Sequence, residues 1–266
     1  MKDFFGRVGE TCFFVLTGIS RLFGLFVAVA RVIIRSFYQK KTIKREHIFR
    51  QMVLMGVDSL PIICLVAGAV GMVLALQAAY QLKQFGAVIY TGALVSVSMT
   101  RELGPLIASI IISGRIGARM AAELGTMKVQ EEVDALTTMG LDPIRFLIAP
   151  RCVALILMLP CLTIITDIVG MIGGFVIGTV GVGINPDLYI DKNFDALVLK
   201  DVYTGLIKTI VFAFVIALVS CHEGLSVEGG AEGVGKATTQ AVVTSIVLII
   251  VVDCLATAIF YYAIPA

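Results

Sequence analysis

Charged residues are scarce in this chain of 266 residues, and tryptophan is absent from it. Only 15% of the residues are Asp, Glu, Lys or Arg, whereas 58% are hydrophobic. A soluble domain of this composition would expose far too much apolar surface to water. The scarcity of charge therefore excludes an ordinary soluble domain and indicates a protein that crosses a membrane.

Histidine and cysteine, the usual ligands of zinc, are also few. His47 and His222 have no second metal ligand at a usable helical spacing. The six cysteines are scattered, mostly inside apolar runs without CxxC or CxxH spacing, so we interpret them as small buried hydrophobic residues. GLSVEG, at 224–229, lacks the GxSxG pattern of a serine hydrolase. We therefore predict no metal site and no catalytic residue in this chain.

One segment near the carboxyl-terminal end nearly matches the sequence pattern of a phosphate-binding loop. GGAEGVGKATT, at 229–239, differs from the pattern GxxxxGK[ST] because Ala237 stands where Ser or Thr must hold magnesium. Apolar spans flank the motif closely and leave no room for the surrounding α/β domain that such a loop needs. We therefore predict that the chain itself binds no nucleotide or other cofactor.

Five apolar runs are long enough to cross hydrocarbon, which takes about 20 helical residues. The run at 11–34 carries Arg21 near its middle, so we predict a helix that lies in the interface rather than a sixth span. The predicted fold is an all-α polytopic membrane protein with an amino-terminal interfacial and elbow region, 1–57, and a permease domain, 58–266. The five predicted spans are residues 60–79, 88–113, 152–182, 203–222 and 241–263.

Charge asymmetry predicts the orientation of these spans. The first fifty residues are strongly basic, and the polar segment from Arg115 to Arg151 carries five Lys or Arg residues, whereas the loop 183–201 is mostly acidic. The positive-inside tendency therefore places the amino terminus in the cytoplasm, beside anionic headgroups rather than nucleic acid. Tyrosines fall at the outer boundaries, where amphipathic rings settle at the interface. These are Tyr80, Tyr90, Tyr189, Tyr203, Tyr261 and Tyr262.

Small residues at every fourth position mark two spans as packing faces. Such ladders let helix backbones approach closely in lipid, where the hydrophobic effect does not drive helices together. The first ladder is Ala67, Gly71, Ala75 and Ala79, and the second is Gly170, Gly174 and Gly178.

The longest polar interruption, 113–150, contains a predicted amphipathic helix at 129–139. Apolar residues at 129, 133 and 136 form one stripe, and acidic residues crowd the first turns, where the helix dipole favours them. Gly140 and Pro143 are expected to end the helix. A membrane protein that extends such a helix into the cytoplasm usually does so to contact a soluble partner, and we call residues 115–150 the coupling segment.

The sequence TRELGP, at 100–105, places two ionisable residues beside a helix break inside the second span. Pro105 has no amide hydrogen and leaves the carbonyl of Arg101 without its helical partner. Arg101 and Glu102 are about 100° apart around a helix, so we expect that they do not share one face. A break at this depth should line protein or water rather than lipid.

Three further ionisable residues fall within predicted spans. Asp253 lies near the centre of span five, where a charge must be neutralised, paired or placed in a wet cavity. Lys208 lies near the outer end of span four, so either it extends to the headgroups or it belongs to the pathway. Asp167 in span three is a weaker candidate because Thr163 and Thr166 offer local hydrogen bonds.

Three segments together resemble a known family. TRELGP, SGRIGARMAAELGTMKVQEEVDALTTMGLDP and GLSVEGGAEGVGKATTQAVV are similar to sequences in the permease subunits of Mla/MCE-type phospholipid ABC transporters, the MlaE family. The resemblance extends from about residue 45 to the end of the chain in motif and span order. It implies a transport subunit of the bacterial inner membrane, not an enzyme, and a homodimeric core that moves phospholipid between the inner and outer membranes.

The resemblance also implies partners and residue roles. A separate cytoplasmic ABC ATPase would use ATP and magnesium, an MCE-domain protein would form the periplasmic channel, and a STAS-domain protein attends the ATPase in bacterial Mla systems. The broken turn would border the lipid pathway, with Arg101, Glu102, Pro105, Lys208 and Asp253 as its candidate residues. The candidate ATPase contacts are Glu131, Glu132, Asp134, Ala135, Leu136, Met139 and Gly140.

Lone basic residues at the inner boundary offer weaker candidates. Arg50, Arg115 and Lys236 could meet phosphate headgroups there, although such residues more often only anchor a protein to the membrane. Two other functions fit the residues. A secondary transporter would relay ions or protons through Glu102 and Asp253 without an ATPase, and a scaffold would only recruit soluble proteins to the membrane.

Overall fold

The computed structural model describes residue 24, residues 27–32 and residues 45–263, and every regular element there is helical. The all-α class predicted from the sequence is confirmed. Between residues 45 and 263 the α-helices are α1 Arg45–Gly56, α2 Leu60–Lys83, α3 Thr91–Ser98, α4 Gly104–Ile112, α5 Ala118–Val129, α6 Glu132–Thr138, α7 Ala149–Val176, α8 Pro186–Ala196, α9 Leu199–Leu225 and α10 Gly230–Ala263. Shorter 3₁₀ or π-helical turns are Val57–Ser59, Val88–Tyr90, Met99–Leu103, Ser113–Gly117, Ile144–Ile148 and Ile177–Gly181.

Five helical stretches are long and apolar enough to cross a membrane, which confirms the predicted number of spans. All five are longer than predicted, and each exceeds the roughly 20 residues needed to cross the hydrocarbon core. Since successive crossings alternate in direction, α6 and the turn between α9 and α10 share one end of the bundle, and α8 lies at the other. We call these the α6 end and the α8 end. The stretches are Ile48–Lys83, Val88–Val129, Ile144–Gly181, Leu199–Leu225 and Gly230–Tyr262.

The second stretch continues well past its predicted end at residue 113. Ser113–Gly117 forms a π-helical turn and α5 follows without a break. Met120 and Leu124 of α5 are buried in the main core, so the polar residues of this region occupy only the outer side of a packed helix. The first half of the coupling segment is therefore part of the bundle, because its apolar side packs against α9 and α10.

The junction between α1 and α2 is continuous and helical. The Ser59 hydroxyl donates to the Met55 carbonyl at 2.8 Å and does not cap α2. Arg115 donates to the Asp58 carbonyl and to the Ser59 hydroxyl, and it thereby ties α1 and α2 to the second stretch. In the amino-terminal region residue 24 and residues 27–32 are helical, and the rest of the helix predicted for 11–34 lies outside the described residues.

Helices α2 and α7 pack closely against each other, partly along the two predicted ladders of small residues. A Cβ added to Gly71 would overlap the backbone carbonyl of Gly170, and one added to Gly173 would overlap the carbonyl of Gly68. The backbones therefore touch directly, which confirms the packing role predicted for Gly71 and Gly170.

Helix α8 is fastened to the bundle by Tyr189, which is fully buried. Its ring packs edge to face on Phe175, with ring centroids 5.6 Å apart. Burial raises the pKa of Tyr189 to about 12, so the phenol stays neutral at physiological pH. The interfacial position predicted for this tyrosine is wrong, because glycines on two helices leave room for the ring. These glycines are Gly92, Gly174 and Gly178.

Candidate functional site

The broken turn of the second stretch lies beside a lysine of α9. Met99–Leu103 is π-helical, and Pro105 lies in the first turn of α4. Because proline has no amide hydrogen, the Arg101 carbonyl loses its usual helical donor. Lys208 Nζ lies 3.4 Å from that carbonyl and donates to it. A neighbouring helix therefore supplies the donor that the proline removes.

Lys208 is the centre of a charge cluster, which we define as Lys208, Glu102, Asp253 and Thr257. Its side chain is only 2% exposed. Nζ lies 2.5 Å from a carboxylate oxygen of Glu102, 3.0 Å from Oδ1 of Asp253 and 2.7 Å from Oγ1 of Thr257. Lys208 therefore does not extend to the headgroups. The structure joins three of the predicted pathway residues into one contact network.

One cation in the charge cluster faces two carboxylates. The Asp253 contact is an ion pair without the alignment of a hydrogen bond, whereas Glu102 accepts a hydrogen bond from the ammonium group. The Glu102 side chain is 35% exposed and that of Asp253 13%, so the cluster opens on the Glu102 side. In a medium of low dielectric constant these charges depend strongly on one another.

Thr257 was not predicted as a site residue. It lies one turn after Asp253, and its Oγ1 is 3.1 Å from Oε1 of Glu102 and 2.9 Å from the Asp253 carbonyl. The i, i+4 spacing to Asp253 was the available signal, but threonine is too common in membrane helices for that spacing to be specific.

Arg101 also pairs with α9, through Asp201. Their side chains form an ion pair with 3.5 Å between Nε and Oδ1. The Arg101 side chain is 43% exposed and that of Asp201 only 11%. Arg101 and Glu102 were expected not to share one face, and they bind different partners on α9. Their long side chains reach two points on the same neighbouring helix, two turns apart.

Asp167 lies on another side of the broken turn and outside the charge cluster. It is buried, and its Oδ1 has no hydrogen-bond partner among the described residues. A Cβ added to Gly104 would overlap that oxygen, so the carboxyl group lies directly against the turn. The absence of a side chain at Gly104 makes this contact possible.

The predicted coupling helix is shorter than expected at its start. Val129 ends α5, and Glu131 has a left-handed conformation with φ of 60°, so α6 begins only at Glu132. A left-handed residue interrupts a helix, so Glu131 lies in the turn, whereas Glu132 and Asp134 lie in α6. Lys128 Nζ crosses the turn to bind Asp134 at 3.0 Å. Gly140, with φ of 74°, follows the end of α6 as predicted.

The faces of α6 divide the predicted ATPase contacts into two groups. Val133 is buried and Leu136 is half-buried, and both pack in the main core cluster. Met139, in contrast, is 73% exposed. Two residues of the predicted apolar stripe, Val133 and Leu136, therefore attach α6 to the bundle, whereas Val129 is exposed. The exposed candidates are Glu131, Glu132, Asp134, Ala135, Met139 and Gly140.

The three weaker headgroup candidates occupy different settings. Arg50 is exposed on α1, whereas Arg115 binds the turn between α1 and α2. Lys236 is exposed and pairs with Glu232 at 2.7 Å. Because Gly230–Ala263 is one continuous helix, the near match to a phosphate-binding loop is helical and does not form such a loop.

Comparison with known proteins identifies relatives along almost the whole described bundle. The family model described as Permease MlaE matches residues 48–259. A probable ABC transporter permease protein of Rickettsia typhi is 41% identical over 244 residues, 92% of each chain. One of Synechocystis is 43% identical over 209 residues, 79% of this chain and 80% of the relative. The chloroplastic protein TRIGALACTOSYLDIACYLGLYCEROL 1 of Arabidopsis thaliana is 36% identical over 222 residues, 84% of this chain and 63% of the relative.

Proposed function

Because this chain belongs to the MlaE permease family and is the permease subunit of an ABC transporter, we propose that its cargo is phospholipid. The lipid would move between the inner and outer bacterial membranes with energy from a separate cytoplasmic ATPase. An MCE-domain protein would provide the periplasmic channel, and a STAS-domain protein would attend the ATPase. Family membership favours this ATP-driven mechanism over an ion- or proton-coupled secondary transporter.

The main support for a phospholipid cargo is that the charge cluster lies beside an exposed apolar stripe on α10. Within the fifth membrane-spanning stretch, Gly230–Tyr262, only 11% of an 18-residue apolar portion is buried against the rest of the chain. Asp253 and Thr257 follow Ile250 at i, i+3 and i+7, so the charge cluster borders this side of α10. A phospholipid has one charged end and two apolar tails, and this surface offers both environments. The exposed stripe is Val243, Val247, Ile250, Val251 and Leu255.

Arg101 is the candidate for the phosphate contact within this proposal. Its guanidinium group is partly exposed at the broken turn, whereas Lys208 is enclosed by its partners. Arginine binds phosphate with two parallel hydrogen bonds, which suits a headgroup at the edge of a cavity. The Arabidopsis relative bears the name of a glycerolipid, which agrees with a lipid cargo.

A homodimer would cover the stripe on α10. Its apolar side chains are uncovered along several turns of a helix that also carries part of the charge cluster. A second copy of the chain, with its own stripe facing the first, would enclose a cavity with apolar walls and charged borders. This arrangement follows the family resemblance and would place two charge clusters around one pathway.

Met139 tests the proposed contact with the ATPase. Met139→Glu adds a charge to an exposed apolar side chain at the tip of the coupling segment, where it disturbs no core packing. We expect about tenfold less ATPase to copurify with the variant, the loss typical of a central interface residue. Leu136→Arg is less suitable because Leu136 packs in the core.

Phe85→Glu is the matched control, since Phe85 is 80% exposed but lies at the α8 end. Both variants should insert into membranes at wild-type levels, and only Met139→Glu should lose the ATPase. Equal ATPase recovery with both variants would refute docking at the tip of α6.

Asp253→Asn tests the proposed pathway. The substitution leaves Lys208 paired with Glu102 in a charge-balanced contact, so we expect a folded protein. ATP-dependent transfer of fluorescent phosphatidylglycerol between vesicles should fall about fivefold or more, as for an interaction made during turnover. Transfer at the wild-type rate would show that Asp253 serves packing alone.

A further inference from the structure

An ion pair between Glu123 and Arg151 lies at the base of the coupling segment, and neither the broken turn nor the ATPase contact explains it. Arg151 Nη2 in α7 donates to Oε2 of Glu123 in α5 at 3.0 Å. Arg119 Nε donates to the other oxygen of the same carboxylate at 2.8 Å. The Glu123 carboxylate is therefore held from two sides, once from its own helix and once from α7.

Arg151 is enclosed although it carries a permanent charge. It is 7% exposed, and its neighbours Pro150 and Cys152 are also buried. Its Nη1 has no hydrogen-bond partner among the described residues. Because a buried guanidinium group needs an anion, Glu123 is essential to this position.

The ion pair joins helices that pack mainly on different neighbours. Helix α5 packs against α9 and α10, whereas α7 packs most closely along α2 and also contacts α1 and α9. The two helices are nevertheless the two attachments of α6, because α5 precedes it and α7 follows it through Ile144–Ile148. The Glu123–Arg151 pair thus closes the segment 123–151 into a loop at its base.

From this geometry we infer that Glu123 and Arg151 are positioning residues that couple movement of α6 to the membrane helices. The inference rests on the proposed function, in which an ATPase moves α6. With the pair intact, a displacement of α6 carries the bases of α5 and α7 together. Without the pair, the two bases separate and the displacement is lost before it reaches the broken turn in the second stretch.

A purely structural role makes a different prediction from a coupling role. Glu123→Gln leaves Arg151 buried without an anion, so it should lower both stability and coupling. Adding Arg151→Met removes that uncompensated charge and supplies an apolar side chain in its place. The double variant should therefore recover stability, but it still lacks the link between α5 and α7. Coupling should recover only if the pair serves stability alone.

The experiment uses the full chain in its complex with the copurifying ATPase, reconstituted in phosphatidylethanolamine and phosphatidylglycerol vesicles. Fluorescent phosphatidylglycerol is the probe, and the measured quantity is lipid moved per ATP hydrolysed. We expect this ratio to fall about tenfold in Glu123→Gln and in the double variant, within the usual range of coupling between sites. The matched control is Glu232→Gln, which breaks an exposed ion pair at the same end of the bundle and should keep the ratio.

Thermal unfolding of each variant separates the two roles. A double variant with wild-type stability and a low ratio supports the inference, and it does so even where Glu123→Gln alone fails to fold. A double variant that recovers the ratio together with stability overturns it. A wild-type complex that hydrolyses ATP without moving phospholipid would instead defeat the proposed cargo.

Discussion

Lys208→Met is expected to lower the free energy of unfolding by about 3 kcal/mol and to abolish ATP-dependent lipid transfer. The substitution leaves Glu102 and Asp253 facing the same buried space without a cation. Breaking a buried pair by removing one partner typically costs about 3–5 kcal/mol, and we expect the lower end because Glu102 is partly exposed. Thermal unfolding in detergent and lipid transfer in vesicles measure the two effects.

Two comparisons make this prediction specific. Lys192→Met breaks an exposed ion pair with Asp195 on α8 and should leave unfolding unchanged. Neutralising both carboxylates alongside Lys208→Met, through Glu102→Gln and Asp253→Asn, should recover most of the stability but not the transfer. If Lys208→Met alone unfolds at the wild-type temperature, the charge cluster is not an interdependent unit.

Gly71→Ala is expected to destabilise the bundle by about 3 kcal/mol, the upper end for inserting one methyl group into a packed interface. The added methyl group would overlap the carbonyl oxygen of Gly170. Backbone cannot rotate away as a side chain can, so α2 and α7 must separate along their whole contact. The measurement is the thermal unfolding of purified protein in detergent.

Two glycine-to-alanine variants serve as controls for that effect. Gly114→Ala meets no atom within 4 Å and should be neutral or slightly stabilising, because alanine favours helices. Gly170→Ala meets the terminal methyl group of Met99, a flexible side chain that can move, so its cost should be intermediate. Equal stability of the Gly71 and Gly114 variants would show that α2 and α7 do not rely on backbone contact.

Hydropathy and backbone chemistry were sufficient for much of the fold. The five spans follow from apolar runs, because each helix must satisfy its own backbone in lipid whatever surrounds it. The broken turn follows from Pro105, since the missing amide hydrogen is a property of that residue alone. Gly71 and Gly170 were recognisable because close backbone approach requires small residues at helical spacing.

Partners across helices could not be predicted in the same way. The environment of Lys208 depends on how the broken turn Met99–Leu103, α9 and α10 are arranged, and the relevant residues are far apart in sequence. The same limit applies to Leu136, whose stripe predicts an apolar contact but cannot say whether the contact is a partner protein or the bundle itself. In the sequence, Glu123 and Arg151 resemble ordinary surface charges at a membrane boundary, and nothing there indicates that they form a pair.

The membrane crossings and the broken span could be predicted because they depend on single residues and local periodicity, and three sequence motifs were enough to show the family resemblance. Helix packing, in contrast, was needed to show that Lys208 is enclosed, that Arg101 pairs with Asp201 and that an ion pair closes the base of the coupling segment. Each of these contacts forms between helices, and its energy depends on the distance and burial that helix packing creates.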